Sequence, residues 1–397
     1  MATIIYYGTP AHGHINPSLF FVERLVLHGY RVIYYAINEF KEKIEATGAQ
    51  FLEYKIDASM LDVKTVTTTD FAAELLRNYK QFLSLTPIIN KKLMAEVRDH
   101  KPDLIIHDNV ASWGRYIAKI LNIPAISFNT FVAIDKMFDK SYWAYAKAFA
   151  DVFFRQSYLI PSTIIQRLRL KNFSKTGIIS MTMNKEKFNI MSFNRKLQPG
   201  GEQFGDNYFF LGPSGLARKN SFEDDLQELP QNLIYASLGT MSQDKKFIYG
   251  LFNSLKNSDF TILFTGNADI DAKDIPSNFI VKRYVNQIKV LQKAKIFIST
   301  GGMNGINEAI KYNVPSLIYP TNGEKKMNAQ MLKKLGLGDI VYDFNDIKKQ
   351  IDNLIAKRED WDYELCKNVS QIHIDELISK IDAYIKNENR YESVGYR

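Results

Sequence analysis

Short β-branched and aromatic runs alternate with amphipathic segments along this chain, and the alternation occurs twice. TIIYYG (3–8), RVIYYA (31–36), DLIIHD (103–108) and PAISFN (124–129) are apolar runs of strand length. Between them, residues 16–29 place Leu19, Phe20, Val22, Leu25 and Val26 at helical spacing behind Pro17, and residues 113–121 read as another helix. After an irregular polar stretch at 212–231 the pattern restarts with NLIYASLG (232–239), FTILFTG (260–266), FIVKRYV (279–285), KIFIST (295–300) and SLIYP (316–320). Strands too apolar to show a solvent face, separated by amphipathic helices, imply a parallel sheet with helices on both sides. The expectation is an α/β protein of two doubly wound domains joined near 212–230. A last amphipathic helix is expected over 369–388, with Ile372, Ile374, Leu377, Ile378, Ile381 and Tyr384 forming its apolar side. No internal repeat or low-complexity tract interrupts the pattern.

Composition agrees with two ordinary globular cores: 397 residues, 46% hydrophobic and 24% charged. One cysteine, Cys366, leaves no internal disulfide and no multi-cysteine metal site. MATIIYYGTPAHG has no basic stretch followed by an apolar core as in a secretory signal, and nothing approaches the ~20 apolar residues of a membrane span. A cytoplasmic protein is expected. The net charge of +8 is compatible with anionic small molecules, an anionic membrane surface, or no specialised role. Lys and Arg are scattered and no nucleic-acid motif is present, so nucleic acid is not an expected partner.

Three stretches carry chemistry. PAHGHINP (10–17) puts His12 and His14 in a loop between a strand's carboxyl end and a helix, the edge where open α/β sheets bind ligands. A neutral imidazole there can take a proton from a hydroxyl if a carboxylate orients it, and Asp108 ends a neighbouring strand. The bland alternative is two loop histidines and a capping aspartate. SLGT (237–240) offers Ser237, Gly239 and Thr240 at a second strand end, where amides and hydroxyls can hold a phosphate, although an ordinary turn reads the same. STGGMNGINEAI (299–310) is the richest. Thr300, Gly301 and Gly302 lead into a helix whose free amides favour phosphate, with Asn304 and Gly305 in its first turn. Glu308 is placed to accept from the vicinal hydroxyls of a ribose, and PTNGEKK puts Glu324 and Lys325 in a loop at the same edge. A phosphate grip, a ribose acceptor and a polar loop on a doubly wound domain read as a nucleotide-sugar site, while the absence of G-x-G-x-x-G and of G-x-x-x-x-G-K-[ST] disfavours a dinucleotide cofactor and a P-loop kinase. The segment 131–170, rich in aromatics with Lys136, Lys140, Lys147, Arg155, Arg167 and Arg169 between them, reads as core helices, as a wall for a bulky apolar ligand, or as a membrane-contacting surface.

With HGHINPSL, PDLIIHD, FLGPS, ASLGT and the long block 284–338 in order, the chain resembles GT-B fold glycosyltransferases of family 1, in particular the bacterial macrolide-type, UDP-sugar-dependent group. The resemblance implies two Rossmann-like domains facing across a cleft. Residues 1–212 would bind the acceptor, 213–375 the donor, and 376–397 would pack back on the first domain. It implies an inverting O-glycosyltransferase moving a hexose to a hydrophobic small molecule of macrolide, polyketide or phenolic type. His14 would be the general base and Asp108 its partner. Ser237, Gly239, Thr240, Gly301, Gly302, Asn304 and Gly305 would hold the diphosphate, Glu308 the ribose, and Glu324 the sugar. Tyr284, Val285 and Gln287 would frame the base. Thr130, Phe131, Phe138 and Trp143 are expected in the acceptor pocket. No metal and no cofactor beyond the nucleotide-sugar co-substrate is implied, and either a monomer or a homodimer is compatible.

Four positions depart from the family pattern: Thr300 replaces a histidine, Lys325 a glutamine, Tyr284 a frequent tryptophan, and Asn286 the proline that follows it. Threonine carries no charge, and losing a charge-assisted contact to the diphosphate costs about 1.5–3 kcal/mol. Lys325 either meets an acidic or unusual sugar or turns back to the phosphates. Two other readings accompany the leading one. One is an auxiliary nucleotide-sugar-binding homologue without catalysis; the other is a glycosyltransferase acting on a membrane lipid or cell-envelope precursor.

Overall fold

The computed structural model describes residues 2–54, 93–133, 185–217, 229–239, 244–266 and 270–393. Two parallel sheets carry the architecture. The first contains β1 (Thr3–Tyr7), β2 (Arg31–Ala36), β3 (Gln50–Glu53), β4 (Leu104–Asp108), β5 (Ala125–Asn129), β6 (Phe188–Met191) and β7 (Tyr208–Phe210), in the order β3-β2-β1-β4-β5-β6-β7. The second contains β8 (Leu233–Ser237), β9 (Thr261–Thr265), β10 (Phe279–Lys282), β11 (Ile296–Ser299), β12 (Ser316–Ile318) and β13 (Gly338–Ile340), in the order β10-β9-β8-β11-β12-β13. In each, the chain winds outward from a first strand, returns, and winds out the other way. This is the Rossmann-like, doubly wound plan expected from the alternation, with one switch point between β1 and β4 and another between β8 and β11.

Every residue of β4, β5 and β8 is buried, as strands covered on both faces must be. The first sheet is unusual in filling its layers with tyrosine. Tyr6 stacks on Tyr34 with ring centroids 4.5 Å apart, and Tyr7 on Tyr35 at 5.2 Å. Strands β3, β6, β7 and β13 were not anticipated. QFLE, FNIM, YFF and GDI are short or interrupted by polar residues and glycine, and sit toward the sheet edges, where neighbours rather than composition decide pairing.

Three boundaries differ from expectation. The first helix spans His12–Leu27, so Pro17 lies inside it instead of starting it, and both histidines belong to its first turn. Glu324 and Lys325 are not in a loop but open the helix Gly323–Lys334, whose N-cap Asn322 accepts from Lys325 N at 2.9 Å. The final helix is Ile374–Ser393, preceded by a separate helix Tyr363–Val369. Leu377, Ile378 and Ile381 of the final helix join one apolar cluster with Phe21, Val22 and Leu25 of the first helix. Tyr384 also donates to Ala125 O at 3.2 Å. Among the described residues no helix is long and apolar enough to cross a membrane.

Candidate active site

The switch point of the first sheet holds a histidine and an aspartate 94 residues apart in sequence. Tyr7 pairs with His107, so β4 extends Asp108 one residue past the end of β1, beneath the helix that begins at His12. His14 Nδ1 lies 2.9 Å from Asp108 Oδ2 and 3.1 Å from Oδ1. Asp108 is 1% exposed, and its Oδ1 also accepts from Thr9 Oγ1 at 2.7 Å and Val110 N at 2.8 Å. Thr130 Oγ1 stands 3.0 Å from the same Nδ1. A proton on Nδ1 satisfies these acceptors and leaves Nε2 with its lone pair, the tautomer of a base. Burial pushes the imidazole down, but the Asp108 carboxylate and, further off, Glu324 hold it above its ordinary value. Phe131 packs edge-on to the ring, centroids 6.3 Å apart.

The switch point of the second sheet is lined by hydroxyls and amides. Ser237 and Ser299 pair directly across β8 and β11, and each accepts from the backbone N–H two residues on, Gly239 at 3.2 Å and Gly301 at 3.3 Å. Gly301 has φ +90, and a Cβ there would meet Ile318 Cγ2 at 2.7 Å. Only glycine allows this turn. Gly302 caps the helix Met303–Lys311, is itself exposed, and among the described residues nothing lies within 4 Å of its would-be Cβ. On the inner side of that helix Glu308, 3% exposed, accepts from Gln287 Nε2 at 2.5 Å. Gln287 Oε1 in turn accepts from Tyr235 OH at 3.0 Å, and Thr265 Oγ1 lies 2.9 Å from that hydroxyl. This chain sets which end of the Gln287 amide faces the carboxylate.

Pro17 connects the two switch points. It has no N–H, so the Gly13 carbonyl four residues earlier lacks its usual helical donor. Asn304 Nδ2, from the other half of the chain, donates to that carbonyl at 3.2 Å. Ser214 Oγ donates to Pro17 O at 2.6 Å beside it. Glu324 is close enough to His14 for each to shift the other electrostatically. Burial raises the Glu324 carboxyl above its ordinary range, only partly offset by Lys325, His14 and a 3.3 Å hydrogen bond from Asn328.

The family model for UDP-glucoronosyl and UDP-glucosyl transferase matches residues 219–384, the half that carries this second switch point. The chain is also 31% identical over 339 residues to the NDP-glycosyltransferase YjiC of Bacillus subtilis, spanning 83% of this chain and 82% of that one. It belongs to the UDP-glucoronosyl and UDP-glucosyl transferase family. The oleandomycin glycosyltransferase of Streptomyces antibioticus is 24% identical over 85% of this chain and 78% of its own. The calicheamicin glycosyltransferase CalG4 superposes with a TM-score of 0.72 over 97% of this chain and 98% of its own, at 20% identity, which shows a shared GT-B fold.

In this glycosyltransferase the expected residues fall into two groups. His14 and Asp108 are together, and Thr130, expected to line the acceptor pocket, has its hydroxyl on His14. Ser237, Gly239, Thr300, Gly301, Gly302, Asn304, Gly305, Glu308, Glu324 and Lys325 gather at the carboxyl edge of the second sheet. Val285 is half-buried there, whereas Tyr284 stands 54% exposed with the Arg283 guanidinium 5.7 Å from its ring centre. Asn286 caps the helix Gln287–Leu291 by accepting from Lys289 N at 3.2 Å, which accounts for a residue other than proline there. Thr240, Phe138 and Trp143 lie outside the described residues, as does most of the aromatic segment. His12 Nε2 pairs with Glu39 at 3.1 Å, and its ring packs edge-on to Phe40. Sequence reasoning missed Thr9, Asn328 and also Thr321, whose Oγ1 accepts from Lys325 Nζ at 3.0 Å. Thr9 and Thr321 lie two and three residues past strand ends, a signal that was available. Tyr235 and Thr265 read as core strand residues, and nothing local distinguished them.

Proposed function

We propose that this chain is an inverting O-glycosyltransferase that moves a hexose from a nucleoside-diphosphate sugar, a UDP-sugar foremost, to a hydroxyl of a hydrophobic small molecule in the cytoplasm. The observation that carries the reading is the His14–Asp108 pair at one switch point with Glu324 of the other half beside it. Residues 1–212 hold the acceptor and 213–375 the donor in this proposal. His14 Nε2 takes the acceptor's hydroxyl proton as its oxygen attacks the anomeric carbon. The bond from that carbon to the phosphate oxygen breaks on the opposite face, and its electron pair leaves with the diphosphate. Configuration inverts in a single displacement. Asp108, fixed by Thr9 and Val110 N, holds the Nδ1 proton and stabilises the imidazolium that forms. The amides from Gly302 into the first turn of the helix Met303–Lys311 and the hydroxyl of Ser237 meet the developing charge on the leaving group, and Glu308 meets the ribose. The reading requires no metal ion. A macrolide, polyketide or phenolic acceptor is favoured by the likeness to the oleandomycin glycosyltransferase, together with Phe131 beside the base.

The test is UDP release and product formation with UDP-glucose over a panel of macrolide and phenolic acceptors. His14→Ala is expected to lose about a hundredfold or more in kcat while its UDP affinity is unchanged. Full transfer by His14→Ala with a competent acceptor overturns the mechanism.

A further inference from the structure

Lys325 stands where a cation is electrostatically out of place. It is the third residue of the helix Gly323–Lys334, and the first turn of a helix favours negative charge. Its ammonium folds back to donate to Thr300 Oγ1 and Thr321 Oγ1, each at 3.0 Å. Thr300 is 4% exposed and precedes the Gly301–Gly302 turn that opens the helix Met303–Lys311. The lysine backbone is pressed against that turn, since a Cβ on Gly301 would lie 3.2 Å from Lys325 O. The ammonium is therefore held beside the N-terminal ends of two helices, hydrogen-bonded to the Thr300 and Thr321 hydroxyls. Positive charge concentrated on two helix ends and an ammonium matches an anion carrying more than one charge.

We infer that Lys325 is the charged donor to the diphosphate of the nucleotide-sugar, held in place by Thr300 and Thr321. This rests on the donor reading proposed above and adds a residue to it. As the anomeric C–O bond breaks, the electron pair goes to the β-phosphate oxygen. Lys325 stays protonated and donates a hydrogen bond to the phosphate oxygens, so no proton changes hands there. Thr300 and Thr321 are positioning residues, because they act through the lysine. Selectivity follows: the gain from Lys325 scales with phosphate charge and is indifferent to the sugar.

Titration calorimetry of UDP and UMP against wild type, Lys325→Met, Lys325→Arg and Thr300→Val tests this. Lys325→Met is expected to weaken UDP about tenfold or more, to change UMP far less, and so to collapse the UDP/UMP affinity ratio. Lys325→Arg keeps most of that ratio, and Thr300→Val, which keeps the charge and removes a tether, loses about threefold. The unliganded melting temperature of Lys325→Met is expected at or above that of wild type, which separates the effect from misfolding. An unchanged UDP/UMP ratio in a folded Lys325→Met overturns the inference. So does an unchanged UDP affinity accompanied by loss of a preference for UDP-glucuronate over UDP-glucose, since the ammonium then serves a sugar carboxylate. Wild type binding neither UDP nor dTDP removes the donor reading itself and this inference with it, whereas a wild type that binds leaves the donor reading standing whatever Lys325→Met does.

Discussion

His14 must be neutral to accept a proton, yet its surroundings favour the charged ring. Burial opposes protonation, and Asp108 and Glu324 overcome it, so the folded value lies above the ordinary 6.5. The acidic limb of kcat/KM is therefore expected above pH 6.5, with activity rising as pH rises through the His14 value. Asp108→Asn removes the largest raising influence and leaves burial in place. Its limb should move to lower pH while kcat falls about a hundredfold. A pH profile of the variant that keeps its limb in the wild-type position would show that another group titrates. Thr130 and Thr9 hold the pair from either end, which explains why hydroxyl residues without acid–base chemistry of their own surround it.

The strand-to-helix turn from β11 shows how one element divides labour between adjacent glycines. Gly301 is needed for shape: its φ is +90 and a side chain there collides with Ile318. Gly302 has ordinary backbone and, among the described residues, nothing within 4 Å of an added Cβ. Gly301→Ala is expected to destabilise the fold by about 1–3 kcal/mol in urea denaturation. Gly302→Ala is expected to fold like wild type and to lose UDP affinity, because its methyl enters the space before the helix amides. Equal stability losses for the two would contradict this division. The first helix makes a comparable use of Pro17, whose missing N–H opens the Gly13 carbonyl to Asn304.

At the scale of the molecule, two sheets of the same winding bring their switch points toward each other, and chain crossings hold the arrangement. Where β7 leads toward the second sheet, the 211–212 backbone passes the segment entering the last helix. His373 N donates to Leu211 O at 2.8 Å. A Cβ on Gly212, at φ +92, would lie only 1.9 Å from Gln371 O. Gly212→Ala should therefore cost about 3 kcal/mol or more, read by denaturant midpoint, since backbone must move. A variant within 0.5 kcal/mol of wild type, roughly the scatter of surface substitutions, would show that this crossing yields easily. The final helix then covers Phe21 and Val22 and spans back to β5 through Tyr384.

The alternation of apolar runs and amphipathic segments was enough to place both sheets, their parallel sense and the strand ends where chemistry gathers, because periodicity reports burial and burial is what a doubly wound sheet imposes. The positions of His14, Asp108, Gly301 and Gly302 near those ends were legible for the same reason, whereas Glu308 lies within the helix Met303–Lys311. Edge strands such as β7 and β13 were not, since short polar segments pair only when a neighbour offers its backbone. Tertiary structure alone decided which partners meet. Thr130 reaches His14 from 116 residues away, Lys325 turns to Thr300, and Asn304 crosses to Gly13. A side chain's direction depends on packing contributed by distant segments, and local sequence carries no record of it.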